Sequence, residues 1–203
     1  MEETQQQILD QARGMFFARG FRSVSLDEIA RETKVSKKTI YKYYKDKTAL
    51  VEAVVSGHLG CMQDKICHIS TEQENAIAEI MHLAQTLISF KQQVNPAVFY
   101  DLEKFHASVY ELVKKHRDDF VKRLIMKNIE RGKQEGFYRQ EIHPEFTAGL
   151  YLLATNEIMT NRIIPADLTA GKALEKFFNY HLHGMVTDKG LQLLNKSQFT
   201  LSI

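Results

Sequence analysis

The sequence has few of the residues that cross-link, break or anchor a chain. Its 203 residues include two cysteines, three prolines and no tryptophan. Because Cys61 and Cys67 fall in one predicted helix, they offer no disulfide framework, and reduced thiols are typical of the cytoplasm. No apolar run approaches the roughly 18 residues that a membrane span needs. The opening residues, MEETQQQILD, are too polar and acidic for a signal peptide, so we expect a cytoplasmic protein.

Catalytic signatures are also missing from the sequence. It contains no P-loop, no G-x-S-x-G and no H-E-x-x-H motif. His58, Cys61 and His68 share one helix face, but the two histidines would lie about 15 Å apart, which is too far for one metal ion. At most, His58 and Cys61 form half a site. We therefore predict no enzyme, no metal and no cofactor.

The charge of the chain is small overall but uneven along it. The formal net charge is +2, and 44% of the residues are hydrophobic, which indicates an ordinary globular chain of one large or two small domains. Residues 1–48 carry ten lysines and arginines against seven acidic residues. The basic residues concentrate between Lys34 and Lys47, and the stretch VSKKTIYKYYKDK combines five lysines with three tyrosines.

Helical periodicity dominates the remaining pattern. Most segments place apolar side chains three and four positions apart, as an amphipathic helix requires. Capping signals mark the predicted helix starts: Ser25 with Glu28, Ser36, Asp46, Thr71 with Glu74, and Asn95 before Pro96. The pattern predicts an all-α chain whose later long helices span about 108–133, 146–163 and 170–184.

The first fifty residues predict a helix-turn-helix unit. A first helix ends near Gly20, and a short second helix begins at Ser25. A turn of about three or four residues, around 34–36, leads to another short helix capped by Ser36. Two short helices joined in this way, within a three-helix unit, place the second one in the major groove of DNA.

The predicted recognition helix, Lys37 to Tyr44, has an apolar edge and a basic aromatic face. Ile40 and Tyr44 lie four residues apart and are predicted to be buried. With about 100° of rotation per residue, the exposed side carries Lys37, Lys38, Tyr41 and Lys42, with Thr39 and Tyr43 at its edges. Lysine neutralises phosphate charge, and a tyrosine hydroxyl reaches a phosphate oxygen. Lys47, in the first turn of the next helix, opposes the helix dipole unless an anion such as a DNA phosphate lies nearby.

The stretch from Ile8 to Val55 contains Phe-x-x-x-Gly-Phe from Phe16, Ile-Ala in its second helix and Thr-Ile-Tyr-x-Tyr-Tyr-Lys-x-Lys from Thr39. In these motifs it resembles the TetR family of bacterial transcriptional regulators. The resemblance implies base-edge contacts by Lys37, Lys38, Thr39 and Lys42, phosphate contacts by Tyr41, Tyr43 and Lys47, and an N-cap at Ser25 that also touches the DNA backbone. The family often has glycine at the position of Lys38, so this lysine implies a side-chain contact there.

The resemblance also implies a division of the chain and a mode of action. Residues 1–46 would form a helix-turn-helix DNA-binding domain, and residues 47–203 a larger helical domain for ligand binding and dimerisation. The implied protein is a repressor that binds a palindromic double-stranded DNA operator as a homodimer and is released by a small apolar effector. The alternative is a helical ligand-sensing or interaction module that does not read an operator.

Two sets of residues follow from this resemblance. The last two long helices would pair with their copies in a dimer through Phe146, Gly149, Leu150, Leu153, Leu174, Phe177, Phe178 and Leu182, unless these faces fill the monomer's own core. A ligand pocket would be lined by Met62, Ile66, Met81, Phe90, Phe99, Tyr100, Phe105, Phe120 and Tyr151. Methionine and aromatic residues at helical spacing are also the ordinary content of a helical core.

Overall fold

Helices make up nearly all of the regular structure in residues 3–196, the part of the chain that a computed structural model describes. They are α1 (Glu3–Arg19), α2 (Leu26–Glu32), α3 (Lys37–Tyr43), α4 (Lys47–Glu72), α5 (Ala76–Gln93), α6 (Ala97–Phe105), α7 (Ala107–His116), α8 (Lys122–Gln134), α9 (Pro144–Met159), α10 (Ala170–Met185) and α11 (Asp188–Lys196). A π-helical segment, Arg117–Val121, joins α7 to α8. The all-α prediction is confirmed. Within the described range, no helix is both long enough and apolar enough to cross a membrane.

The chain is organised as two compact units. The first contains the residues up to Gln63 together with Gln93–Lys114, and the second contains Asp64–Gln92 together with the residues from Lys115 on. Helix α4 begins in the first unit and ends in the second. The predicted functional boundary between 46 and 47 does not coincide with the division between the compact units, and it stays a prediction.

The core of the first unit joins the helix-turn-helix segment to α6. Buried apolar side chains from α1, α2, α3 and the start of α4 form this core: Ile8, Ala12, Phe16, Leu26, Ile29, Ile40, Leu50 and Val51. Polar contacts attach α6 and the residues before it. The Arg22 N–H donates to the Asp101 carboxylate (2.8 Å), and the Asn95 N–H donates to the Phe17 carbonyl (2.8 Å). Residues distant in sequence therefore complete this unit.

Short-range capping residues begin α2, α3 and α4 as predicted. Ser25 forms a capping box with Glu28 at the start of α2. Ser36 Oγ accepts the Thr39 N–H (3.0 Å) before α3, and Asp46 Oδ1 accepts the Ala49 N–H (2.8 Å) before α4. Each side chain satisfies a backbone donor that the helix leaves unpaired.

The predicted helix start at Thr71 is wrong. The Thr71 hydroxyl donates to the His68 carbonyl (2.9 Å), so this side chain bonds backward within α4, which continues to Glu72. Asn75 is the cap instead, because its Oδ1 accepts the Ala78 N–H (2.9 Å) at the start of α5. Thr71 and Asn75 are both residue types that commonly cap helices, so the local sequence alone does not distinguish them.

The second unit is built around α8, α9 and α10. Its buried side chains include Ile125 and Ile129 from α8, Ala148 and Leu152 from α9, and Leu174 and Phe178 from α10. Helix α9 ends at Met159, before the predicted end near 163, and α10 matches its predicted span closely. Helix α11 was not predicted from the sequence. The N–H of its Gly190 donates to Thr187 Oγ1 (3.2 Å).

The Glu28 carboxylate, which belongs to the capping box of α2, also binds a side chain of α1. The Arg19 guanidinium donates to the Glu28 carboxylate (2.7 Å), and the Ser25 N–H donates to the same carboxylate (2.8 Å). The hydrogen bond from Arg19 first, and those from Ser25 second, lower the pKa of Glu28 from 4.5 to about 2. The charged carboxylate is therefore favoured in the folded state.

We expect Gly20→Ala to destabilise the first unit by about 1 to 3 kcal/mol. Gly20 has a φ of +90°, and an added Cβ would lie 2.9 Å from Asp101 Oδ2, so the substitution combines backbone strain with displacement of a hydrogen-bonded carboxylate. Chemical denaturation would measure the free energy of unfolding. The matched control is Gly14→Ala in α1, where a Cβ meets open space and should stabilise by about 0.5 to 1 kcal/mol. Equal effects at the two glycines would contradict this account.

We expect Glu28→Gln to lower stability in a pH-dependent way. A carboxyl group whose pKa falls on folding contributes stability above its unfolded pKa, and this contribution disappears as the pH falls through its folded pKa. The difference in unfolding free energy between the original chain and Glu28→Gln should therefore be largest above pH 4.5 and vanish towards pH 2. Denaturation across this range measures it. Glu52→Gln, on the exposed side of α4, is the control, and a pH-independent difference for Glu28→Gln would contradict the prediction.

Candidate nucleic-acid interface

The turn between α2 and α3 is closed by backbone hydrogen bonds. The Val35 N–H donates to the Ala30 carbonyl (3.0 Å), and the Lys34 N–H donates to the Arg31 carbonyl (3.2 Å), which is the Schellman arrangement for ending a helix. Lys34 occupies the left-handed position of this motif, with a φ of 55°, where glycine is usual. The motif fixes the direction in which α3 leaves α2.

The rotation of α3 agrees with the sequence-based prediction. Ile40 and Tyr44 are buried, which confirms the predicted apolar edge. Lys37, Lys38, Tyr41 and Lys42 are exposed, and Thr39 and Tyr43 are half-buried at the margins. The Tyr41 side chain retains 48% of its accessible surface. The helix thus presents a continuous face of lysine, tyrosine and threonine to solvent.

An ion pair that the sequence did not reveal joins the two helices of the motif. Lys37 Nζ lies 2.9 Å from Asp27 Oδ2, and this hydrogen bond raises the pKa of the Lys37 ammonium. A base or phosphate beside Lys37 would compete with Asp27 for its ammonium group. Lys38, by contrast, has no ion pair among the described residues. Of these two lysines at the start of α3, Lys38 is the one available without rearrangement.

Lys42, a predicted base contact, and Lys47, a predicted phosphate contact, both lie against neighbouring groups. Lys42 Nζ lies 5.2 Å from the centre of the Tyr43 ring. Lys47 Nζ donates to the Arg22 carbonyl (3.3 Å) and lies 5.9 Å from the Phe16 ring centre. Burial lowers the pKa of the Lys47 ammonium. Lys47 is the first residue of α4, so its side chain lies beside the unpaired N–H groups of that helix terminus, where an anion binds favourably.

Ser25 and Thr39 have structural roles that occupy their hydroxyl groups. Ser25 Oγ accepts the Glu28 N–H (3.2 Å) and donates to the Glu28 carboxylate (2.9 Å). The Thr39 hydroxyl lies 2.8 Å from Ser36 Oγ. Both residues lie at helix starts, beside the exposed surface of the motif.

The predicted ligand residues are divided between the two compact units. Met62, Phe99, Tyr100 and Phe105 belong to the first unit, whereas Ile66, Met81, Phe90, Phe120 and Tyr151 belong to the second. In the first unit, Tyr100 and Phe105 are exposed on α6, and the Arg22 guanidinium lies 5.0 Å from the Phe105 ring centre. In the second unit, Met81 and Tyr151 are buried, and Phe120 lines a cavity.

The predicted dimerisation residues fall into two classes. Phe146, Gly149, Leu150 and Leu153 are all exposed on one face of α9. Leu174, Phe178 and Leu182 of α10 are buried within the chain itself, and Phe177 is half-buried against Tyr151, with ring centres 6.0 Å apart. The α10 side of this prediction therefore supports α9 from beneath, while the α9 side faces solvent.

The histidines and cysteine considered as metal ligands, His58, Cys61 and His68, do not form a metal site in the structure. The His58 ring packs on Phe17, with ring centres 4.9 Å apart, and burial lowers the pKa of His58. Among residues 3–196, no three histidine, cysteine or acidic side chains are grouped so that they could hold a metal ion.

Sequence reasoning missed several residues that bond to the candidate surface or to the segments beside it. Asp27 pairs with Lys37, and Asp101 accepts the backbone N–H of Arg22. His106 Nδ1 lies 3.2 Å from the Thr48 hydroxyl at the start of α4. These partners are separated by between 10 and 79 positions in the chain, so no local pattern identifies them.

Comparison with known proteins agrees with this geometry. Residues 8–54 match the family described as "Bacterial regulatory proteins, tetR family". The HTH-type transcriptional regulator YvaF of Bacillus subtilis is 24% identical over 187 residues, which cover 90% of this chain and 95% of that protein. YvkB, another HTH-type transcriptional regulator of that organism, is 28% identical over 141 residues, or 64% of this chain and 71% of that protein.

Solved structures show the same fold across most of the chain. Reduced NemR of Escherichia coli has a TM-score of 0.74 at 15% identity, and the match covers 92% of this chain and 98% of that one. A transcriptional regulator from Saccharomonospora viridis, in complex with choline, has a TM-score of 0.75 at 15% identity and covers 92% of this chain and 100% of its own. The relatives are transcriptional regulators rather than enzymes. Residues 8–54 thus match the DNA-binding helix-turn-helix unit of the tetR family, and over most of its length the chain is similar to transcriptional regulators.

Proposed function

We propose that the protein is a cytoplasmic homodimeric repressor that binds a palindromic operator and is released from it by a small organic effector. The observation that carries this proposal is the exposed face of α3, which consists of lysines and tyrosines, while the opposite, apolar edge of the helix is buried. A face of this composition, on the second helix of a helix-turn-helix motif, suits entry into the major groove.

The residues of this face divide by the contact that each can make. Lys37 and Lys38 lie at the N-terminal end of α3, and this end of a recognition helix approaches the base edges. Lys38 can make such a contact directly, whereas Lys37 would first leave Asp27. Tyr41, Tyr43 and Lys47 suit phosphate contacts, because a phenol donates one hydrogen bond and an ammonium neutralises charge without reading sequence. Thr39 and Lys42 complete the proposed base-reading set, and Ser25 lies at the margin as a backbone contact.

We expect Lys37→Ala and Lys38→Ala to reduce operator preference, by about 1 to 3 kcal/mol of discrimination for a lost base contact. Tyr41→Phe and Lys47→Ala should weaken binding to all sequences alike. Fluorescence anisotropy with DNA from the chain's own promoter region, against scrambled DNA, would measure both quantities. The logarithm of the binding constant should fall with the logarithm of salt concentration, with a slope of about −0.9 per phosphate neutralised.

Asp27→Asn is the matched control for Lys37. It breaks the same ion pair as Lys37→Ala but leaves the cation in place, so it should strengthen DNA binding while Lys37→Ala weakens it. Binding without preference for promoter DNA over scrambled DNA would reject the repressor and favour a ligand-sensing module without operator reading.

The exposed stripe of α9 supports a homodimer. Phe146, Leu150 and Leu153 retain 66%, 47% and 61% of their accessible surface, and their spacing of four and three places them on one helix face. Gly149 lies between them, and a Cβ there would meet open space, so a second helix can approach closely. Two such stripes related by a two-fold axis would cover each other, and two recognition helices spaced about 34 Å apart, or a multiple of it, would fit a palindromic operator.

We expect Leu153→Glu to convert the dimer to monomer, raising the dimer dissociation constant roughly a hundredfold or more. The reason is that a carboxylate in the middle of an apolar interface would lose its water without gaining a partner. Sedimentation velocity over a range of protein concentrations would measure the change. Gln192→Glu on exposed α11 adds a carboxylate outside the stripe and should leave the dimer intact. An original chain that is monomeric at micromolar concentration would contradict the proposal.

Effector release is the third part of the proposal. The second unit contains a cavity partly lined by the α4 segment of that unit, and α4 begins at Lys47 in the DNA-binding unit. The Saccharomonospora viridis regulator of the same fold was solved with choline, which supports a small molecule as the effector class. An effector that favours one arrangement of the dimer would shift its population away from the DNA-binding arrangement.

A further inference from the structure

The cavity of the second unit has a defined set of walls. It has a volume of about 470 Å³, which falls in the range of small-molecule sites. Residues of α4, α5, α8 and the π-helical segment line it: Cys67, Ser70, Thr71, Glu79, Phe120, Arg123, Leu124, Lys127, Asn128 and Arg131. Three of these side chains are cationic and one is a carboxylate.

The three cations form a row along α8. Arg123, Lys127 and Arg131 are spaced by four residues, which places them on one helix face. Like charges four apart on a helix repel each other. Neither the Arg123 side chain nor the Lys127 side chain makes a hydrogen bond or ion pair with any residue within 3–196. An anion beside this row would relieve the repulsion.

Arg131 and Glu79 neutralise each other and are already engaged. Arg131 Nη1 lies 3.3 Å from Glu79 Oε2, and its other nitrogens donate to the Glu135 carboxylate (2.7 Å) and the Gln73 carbonyl (2.8 Å). The buried Glu79 carboxylate also accepts from Asn128 Nδ2 (2.9 Å). These groups therefore form a fixed floor of the cavity, and the charge left over comes from Arg123 and Lys127.

A further donor in the cavity wall lacks a partner. Ser70 Oγ is buried and makes no hydrogen bond within the described residues. A buried hydroxyl without a partner is costly, and a ligand oxygen would satisfy it. Thr71 does not compete for this role, because its hydroxyl already donates to the His68 carbonyl (2.9 Å).

The same cavity has an apolar wall. Phe120 and Leu124 line it, and Phe120 lies in the π-helical segment Arg117–Val121, with its ring centre 5.1 Å from that of His116. Short π-helical segments inside α-helices occur frequently at functional sites. The lining thus combines unpaired cations, an unpaired hydroxyl and an aromatic surface.

From this lining we propose that the cavity binds an organic anion with an apolar body, such as a hydrophobic carboxylate. The carboxylate contacts Arg123, Lys127 and the Ser70 hydroxyl, and the apolar body packs on Phe120 and Leu124. This inference rests on the proposed effector release, and it names the chemical class of the effector. The sequence predicted an apolar effector, which agrees with the apolar body of this ligand. The structure adds the proposal that the ligand also carries an anionic head group.

Three probes that share a ten-carbon chain but differ in head-group charge test the proposal. Decanoate, 1-decanol and decyltrimethylammonium would be titrated into the full-length protein by isothermal calorimetry, without DNA, with octanoate and 1-naphthoate as further carboxylates. Carboxylates should bind at least about tenfold more tightly than the alcohol, and the cationic probe should bind most weakly.

A double variant identifies the head-group site. Arg123→Gln with Lys127→Gln should weaken decanoate binding about tenfold or more and leave decanol binding unchanged. Both side chains are exposed, so the fold should survive, and circular dichroism would check this. Lys196→Gln on α11 removes one positive charge away from the cavity and should change neither affinity. A double variant with unchanged decanoate affinity would overturn the assignment.

The calorimetric result is separable from the test of the repressor itself. Failure of all three carboxylates to bind more tightly than the alcohol would overturn the anion proposal, even if the protein bound its operator specifically. Conversely, carboxylate binding that depends on Arg123 and Lys127 would support the proposal even if the promoter DNA were not recognised. Release of operator DNA by decanoate, lost in the double variant, would support both.

Discussion

The burial of Ile40 and Tyr44 fixes the rotation of α3 about its axis, and every proposed DNA contact on α3 depends on that rotation. Full burial of a large apolar side chain contributes roughly 1.5 to 3 kcal/mol, whereas turning the helix would expose Ile40 and bury lysine without a partner. The basic face is therefore a consequence of the apolar edge. The Schellman turn at Lys34 and the Ser36 cap then set where the helix begins.

Features that depend on neighbours in sequence were predictable. The caps at Ser25, Ser36 and Asp46 each use a side chain to satisfy an N–H three residues ahead, so the sequence pattern and the interaction coincide. The apolar edge of α3 is equally local, because residues four apart share a helix face. The failure at Thr71 shows the limit of such patterns, since its hydroxyl bonds backward within α4 and Asn75 caps α5 instead.

Features that depend on residues distant in sequence were not predictable in the same way. The ion pair between Asp27 and Lys37 crosses the turn of the motif, and the row of Arg123 and Lys127 becomes part of a cavity only when α4, α5 and α8 pack together. The dimerisation prediction shows both cases. Periodicity identified the apolar faces of α9 and α10, but only packing decides that the α9 stripe stays exposed while much of the α10 face fills the core.

The two proposals assign an operator-reading surface to one unit and an anion-binding cavity to the other, and helix α4 has residues in both units. The central claim is that two copies of the α3 face read one operator. Hydroxyl-radical footprinting of the promoter region tests it most directly. The account predicts two protected patches on one side of the duplex, with centres about 34 Å or a multiple of that distance apart. A single patch, or no protection at concentrations that saturate binding, would contradict it.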